Sequence, residues 1–188
     1  MQVFRETWER ALAAPPRADP AAVTLATCDL DGHPTARIVL LRGFDADGFL
    51  FYTNYTSIKA RQLDANPQAA LCFYWYWLDE QVRVEGRVAR ATREESDAYF
   101  RTRPRGNQIG AWASSQSAPL ASPAELEARY RHEEQRFGDG PIPRPEFWGG
   151  YRLTPGRIEF WKAGESRLHD RRVFTRSPAG WDQCRLYP

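Results

Sequence analysis

Residues 81–91 place the tightest limit on what this chain can fold into. Val82, Val84, Gly86 and Val88 alternate without interruption with Gln81, Arg83, Glu85 and Arg87. Alternation with a period of two marks a half-buried strand of an antiparallel sheet, one face on a core and the other toward water. The segment pairs with residues 68–78 as a hairpin around Asp79 and Glu80. Upstream, residues 22–28, 36–42 and 49–53 read as further strands, separated by turns at Asp31-Gly32 and at 45–48. Short strands are expected again at 150–153, 157–161, 172–175 and 181–186.

Helices sit around these strands. Residues 4–14 carry Phe4, Trp8, Ala11 and Leu12 at helical spacing, and Pro15 and Pro16 stop the run. Ser57 caps a helix over 58–66 that Pro67 ends. Capping boxes at Thr92/Glu95 and Ser122/Glu125 open two more, the second reaching Phe137. The intervening stretch 101–117 is polar and without regular pattern. The expectation is a mainly β fold, an antiparallel barrel with peripheral helices.

A length of 188 residues fits one domain, and 42% hydrophobic residues fit a globular one. A formal charge of +2 offers no field for nucleic acid, and no apolar run is long enough to span a bilayer. The charged start (Arg5, Glu6, Glu9, Arg10) does not read as a signal peptide. Three scattered cysteines, Cys28, Cys72 and Cys184, point to a reducing cytoplasm. Metal chemistry finds no support, because His33, His132 and His169 lie in separate segments without ligand spacing. Nucleophile elbows, Walker loops and dinucleotide fingerprints are likewise missing from the sequence.

What remains is a set of cations beside short polar residues. Arg37 and Arg42 bracket an apolar strand, and Tyr52-Thr53 precedes Ser57 and Lys59 at a helix start. Arg101, Arg103 and Arg105 accompany Asn107 and Gln108, and Arg167, His169 and Arg171 lie near the end. Guanidinium, hydroxyl and helix N-terminus together are how proteins hold phosphate dianions. Taken singly, each arginine is more often a solvated surface charge. Aromatics at 13%, including Tyr74-Trp75-Tyr76-Trp77, fill a large core, line an interface or stack on a planar ligand.

Several motifs together resemble the pyridoxamine 5′-phosphate oxidase family. They are Arg37-Ile38-Val39-Leu40-Leu41-Arg42, Phe51-Tyr52-Thr53-Asn54, Gln81-Val82-Arg83-Val84, Ser115-Gln116-Ser117 and Phe147-Trp148-Gly149-Gly150. Ile158-Glu159-Phe160-Trp161, Arg167-Leu168-His169-Asp170-Arg171 and Arg185-Leu186-Tyr187-Pro188 continue in order, as do Arg103-Pro104-Arg105 and Gln108 to Trp112. The resemblance covers nearly the whole chain. It implies one FMN-binding split β-barrel domain over 1–188, with an N-terminal helix and linker (1–20) and a C-terminal part for dimerisation and substrate (140–188). The implied partner is a second copy, with FMN at the interface. The implied reaction oxidises pyridoxamine or pyridoxine 5′-phosphate to pyridoxal 5′-phosphate with dioxygen, giving hydrogen peroxide.

By the same resemblance, Arg37 and Lys59 grip the FMN phosphate, Ile38, Val39, Leu40, Tyr52, Thr53, Gln116 and Ser117 line the cofactor, and Gln81, Trp161 and Arg171 complete its pocket. Tyr99, Arg103, Arg42 and Asn107 hold the substrate, with Arg167 and His169 over its ring as the catalytic pair. The pleat puts Arg37 and Arg42 on opposite faces unless the strand bulges or ends near Gly43. Five residues depart from the family pattern: Arg42 for lysine, Asn107 for serine, Ile58 and Glu80 for arginines, and Tyr76 for histidine. An Arg-Arg-x-Tyr lid ahead of the first helix is also expected to be missing. Ile58 and Glu80 predict a less cationic cofactor site with weaker FMN binding, and Arg42 and Asn107 leave room for another planar substrate, as in phenazine-forming relatives. A binder that stores FMN or pyridoxal phosphate without catalysis is the third reading, and it gives no reason to keep Arg167 and His169.

Overall fold

Every strand pairing in the computed structural model, which describes residues 1–13 and 19–188, is antiparallel. The strands are β1 (Ala22–Cys28), β2 (Pro34–Leu40), β3 (Gly43–Asp45), β4 (Gly48–Asn54), β5 (Gln68–Trp75), β6 (Glu80–Arg90), β7 (Trp148–Lys162), β8 (Asp170–Ser177) and β9 (Gly180–Arg185). They form one sheet in the order β2-β1-β5-β6-β7-β4-β3, with β8 added to β7 and β9 to β8. The sheet curls into a half-barrel. The helices are α1 (Gln2–Ala13), α2 (Ile58–Ala65), α3 (Arg93–Thr102), α4 (Arg105–Ala113) and α5 (Pro123–Phe137). Ala14, Pro15 and Pro16, where the first helix was expected to stop, lie outside the described residues. Among the described residues no helix is long and apolar enough to cross a membrane.

The alternation along residues 81–88 holds: Val82, Val84 and Val88 are buried in β6. Segments 150–153 and 157–161 prove to be one strand, the 15-residue β7. Pro155 and Gly156 do not end it. They form a bulge where the register against β6 shifts between Glu85 and Gly86, so the extra residue is absorbed. The other edge of β7 changes partner at that point, pairing with β4 from Trp148 to Leu153 and with β8 from Arg157 to Lys162.

Two other expectations are corrected. The strand over 36–42 ends at Leu40; Leu41 N–H then donates to Ala21 and Arg42 N–H to Leu50, so Arg42 leaves the pleat. The patternless stretch 101–117 contains α4, which packs Ile109 and Ala111 with Phe100, Ile142 and Trp148 in a second, smaller core. Both capping hydroxyls bond as expected. Only Thr92/Glu95 closes the full box, since the Glu125 carboxylate accepts from Ala121 N–H instead.

The main core lies inside the curl. Phe4 of α1 is its plug, with ring centroids 4.8 Å from both Phe44 and Phe49 and 5.3 Å from Phe73. Truncating such a ring to alanine costs about 3–5 kcal/mol. Arg10 ties the same helix to the sheet through two 2.7 Å bonds to the Glu80 carboxylate. The aromatic block divides: Trp75 is core, donating from Nε1 to Pro20 at 3.0 Å, whereas Tyr74 and Tyr76 are exposed. All of β9 is exposed, and so are Leu168, Trp181, Leu186 and Tyr187.

Candidate functional site

A cavity of about 740 Å³ opens between β2, β4, α2, α3 and α4. Ile38, Val39, Leu40, Tyr52, Thr53, Lys59 and Gln116 line it together with Arg42, Tyr99, Arg103 and Asn107. Residues expected for cofactor and for substrate thus share one wall. Thr102, Pro104 and Trp148 complete the lining and had no assigned role from sequence.

One side is aromatic. The rings of Tyr52 and Tyr99 stack at 4.0 Å, and Trp148 lies nearly parallel to Tyr52 at 5.5 Å. Gly150 makes room for this, since a Cβ there would stand 2.8 Å from the Tyr52 ring. The Arg103 guanidinium sits 4.6 Å from the Trp148 centroid, and its buried Nη1 has no hydrogen-bond partner among the described residues. Burial, followed by the nearby charge of Arg42, lowers the Arg103 pKa, while Tyr99 acts in the opposite direction. Two guanidiniums therefore meet at this end, and a dianion would satisfy both.

The opposite end carries Lys59, positioned by α2. Ser57 caps that helix by accepting from Ala60 N–H. Lys59 Nζ donates to Gln116 Oε1 at 2.8 Å and to Thr53 Oγ1 at 3.3 Å. Gln116 also accepts from Thr53 Oγ1 at 3.0 Å, which fastens its loop to β4. Burial, and secondly the charge of Arg37, pull the Lys59 pKa down to about 8. Arg37 is not part of the wall but stands next to Lys59, held by Thr27 and Thr35 hydroxyls and the Leu25 carbonyl. None of Arg37, Lys59, Arg42 and Arg103 has a carboxylate within 4 Å among the described residues. A phosphorylated ligand fits such a donor set, and two phosphates fit its two ends.

A second cavity, about 820 Å³, lies beside α3. Its Arg90 is paired with Asp64, and its Arg93 and Arg144 share Asp97.

The remaining expected residues gather elsewhere. Gln81, Trp161 and Arg171 are direct neighbours across β6, β7 and β8. The His169 ring packs 4.6 Å from Trp161. Its Nδ1 accepts from Gly164 N–H at 3.2 Å, which leaves the neutral ring's proton on Nε2, aimed away from the backbone. Gly164 has no alternative here, because a Cβ would strike the Leu168 carbonyl. Arg167 and Ser166 both hold positive φ, 64° and 53°, a strained turn of the kind found at functional sites. Ser117, also at positive φ, is exposed beside Gln116. Trp161 is eleven residues along β7 from Gly150, roughly 35 Å at ~3.3 Å per residue. The two groups therefore belong to different stretches of β7 and different neighbours in the sheet.

The departures separate as well. Ile58 is exposed in the first turn of α2 beside Lys59. Glu80 is buried and bonded to Arg10, with Lys162 3.6 Å away, so it anchors α1.

Comparison with known proteins gives the context. Residues 10–137 match the family model described as pyridoxamine 5′-phosphate oxidase. Residues 148–188 match that of the pyridoxine 5′-phosphate oxidase C-terminal dimerisation region. A pyridoxine/pyridoxamine 5′-phosphate oxidase of Myxococcus xanthus is 57% identical over 188 residues, all of this chain and 91% of that one. The Rubrobacter xylanophilus protein of the same name is 58% identical over 170 residues, 90% of this chain and 78% of its own. Among solved structures, PhzG from Burkholderia lata, in complex with tetrahydrophenazine-1-carboxylic acid, superposes with a TM-score of 0.94 at 29% identity, covering 100% of this chain and 91% of that one. An FMN-binding protein of Nostoc punctiforme shares the fold, with a TM-score of 0.78 at 18% identity over 100% of this chain and 96% of that one.

Proposed function

The chain belongs to the pyridoxamine 5′-phosphate oxidase family, and from this premise we propose that it oxidises pyridoxamine or pyridoxine 5′-phosphate to pyridoxal 5′-phosphate. Dioxygen is the final acceptor and is reduced to hydrogen peroxide; with pyridoxamine 5′-phosphate, water also enters and the amine leaves as ammonia. FMN is the cofactor, and when bound it supplies the two-electron acceptor that this chain's side chains lack. The observation that carries the reading is the cavity with uncompensated cations at both ends and stacked rings along one side.

Lys59 and Arg37 bind the cofactor phosphate at one end, with Thr53, Gln116 and Ser117 alongside. Arg103, Arg42, Tyr99 and Asn107 bind the substrate phosphate at the other, which fixes the pyridine ring in register for reaction. The match of residues 148–188 to a dimerisation region supports a homodimer. In it, Gln81, Trp161, Arg167, His169 and Arg171 enter each cavity from the other copy. His169 then offers its Nε2 proton, and Arg167 its charge, to the substrate ring as electron density shifts. A single domain over 1–188 with a C-terminal dimerisation part, working in a reducing cytoplasm, belongs to the same reading, and the free cysteines are compatible with it.

The likeness to PhzG supports a second reading, oxidation of a different planar substrate on the same scaffold. The two phosphate-ready ends favour the first, because two guanidiniums at one end suit a phosphate dianion better than a single carboxylate. Dioxygen uptake measured with pyridoxamine 5′-phosphate and with pyridoxamine decides between them. Strong preference for the phosphorylated compound is expected, and equal or absent turnover overturns the proposal. Arg167→Ala and His169→Ala are expected to lower turnover while the protein stays yellow.

A further inference from the structure

The surroundings of Arg37, the cofactor-end cation behind the wall, can be traced bond by bond. Its Nη1 donates to Thr27 Oγ1 at 2.6 Å and to the Leu25 carbonyl at 3.2 Å, and its Nη2 donates to Thr35 Oγ1. Thr27 and Thr35 face each other across β1 and β2. Each hydroxyl has a single hydrogen, and the nearest acceptor for both is one atom: Thr27 Oγ1 lies 2.6 Å and Thr35 Oγ1 2.7 Å from Gln62 Oε1, closer than the 3.2 Å between the two hydroxyls. Arg37 Nη2 itself reaches Gln62 Oε1 at 3.5 Å. Gln62 is buried on α2, one turn beyond Lys59.

The direction of these bonds matters. With their hydrogens drawn to Gln62, both threonines turn lone pairs toward the guanidinium, so Arg37 is oriented entirely by neutral acceptors. Its Nε–H has no acceptor among the described residues. A carboxylate in this place would orient Arg37 equally well and cancel its charge. We propose that Thr27, Thr35 and Gln62 are positioning residues that hold Arg37 in place while leaving its positive charge free for the cofactor phosphate. A single helix then serves both cations, presenting Lys59 directly and fixing Arg37 through Gln62. This rests on the reading that Arg37 grips that phosphate.

Titrations of FMN and of riboflavin, which has no phosphate, into the flavin-stripped full chain test it. Gln62→Glu keeps an oxygen for both hydroxyls but adds the negative charge. It is expected to weaken FMN about tenfold and leave riboflavin unchanged. Thr35→Val, at an exposed position where folding is not at stake, is expected to weaken FMN about threefold with the same selectivity. Both effects should vanish in an Arg37→Ala background. Wild-type FMN affinity in Gln62→Glu, or equal losses for FMN and riboflavin, would overturn the cradle. If Arg37→Ala alone leaves the FMN-to-riboflavin ratio unchanged, the phosphate assignment itself falls, and the cradle with it.

Discussion

Two clusters of cations in this molecule are built on opposite plans. Along β6, β7 and β8, Arg83, Arg157 and Arg171 close on the buried Glu159, with Glu85 bridging Arg83 and Arg157. Around the cavity, Arg37 and Lys59 rest on hydroxyls and amide oxygens, and Arg42 and Arg103 are likewise without a carboxylate partner among the described residues. Residue types are the same in both places, but in one the charge is neutralised in the folded chain and in the other it is left over. A compensated cluster stabilises structure. An uncompensated one costs stability and is kept for a ligand.

The sharpest break comes from removing the shared carboxylate. Among the described residues, Glu159→Gln takes the only carboxylate from Arg171 and one of two from Arg83 and Arg157, and is expected to destabilise the fold by about 3 kcal/mol, read from a urea midpoint. Burial pushes the Glu159 pKa upward, but the Arg171 hydrogen bond and the Arg83 charge outweigh it and hold the pKa below its ordinary value. Its contribution is therefore present above pH ~4.5 and lost as the pH falls below that, a loss the variant should not show.

Arg103→Ala should do the reverse. Apparent substrate affinity falls about 10- to 100-fold while the urea midpoint barely moves, because no ion pair is broken. A large loss of stability would put Arg103 in the compensated class.

Lys59 supplies a pH test of intermediate size. With its pKa near 8 in the ligand-free chain, the cofactor phosphate meets a charged lysine below that pH and a neutral one above it. FMN affinity should fall as pH rises past about 8, by at most about tenfold per unit, and Lys59→Met should flatten the profile. Ligand-free stability runs the other way, rising from pH ~8 toward ~10.5 as the desolvated charge is shed. The smallest effect belongs to Ile58→Arg. The position is exposed, so an added cation should tighten FMN by only about twofold, and unchanged affinity would show that Arg37 and Lys59 suffice.

How legible this was depended on whether the forces were local. The period of β6, the Ser57 and Thr92 caps and the turn glycines act within a few residues, and these elements were read correctly. Helix α4 was not: it starts after Pro104 without a side-chain cap, contains Gly106 and Gly110, and owes its burial to Phe100, Ile142 and Trp148 far along the chain. Pro155 and Gly156 read as a break, yet β6 and β7 absorb them as a bulge. At the site, arginines and hydroxyls could be picked out one at a time. The Thr27–Gln62–Thr35 support could not, since it joins three elements, although the turn at Asp31-Gly32 already implies the 27–35 pairing.

The length of β7 has a final consequence. It carries Gly150 against Tyr52 near one end and Trp161 beside His169 at the other, so each polypeptide would furnish half of two separate reaction centres. Two inactive preparations, one altered at Arg103 and one at His169, should then rescue each other on subunit exchange. In every mixed pair one centre inherits both lesions and the other inherits none. Random reassortment would restore about a quarter of the normal rate.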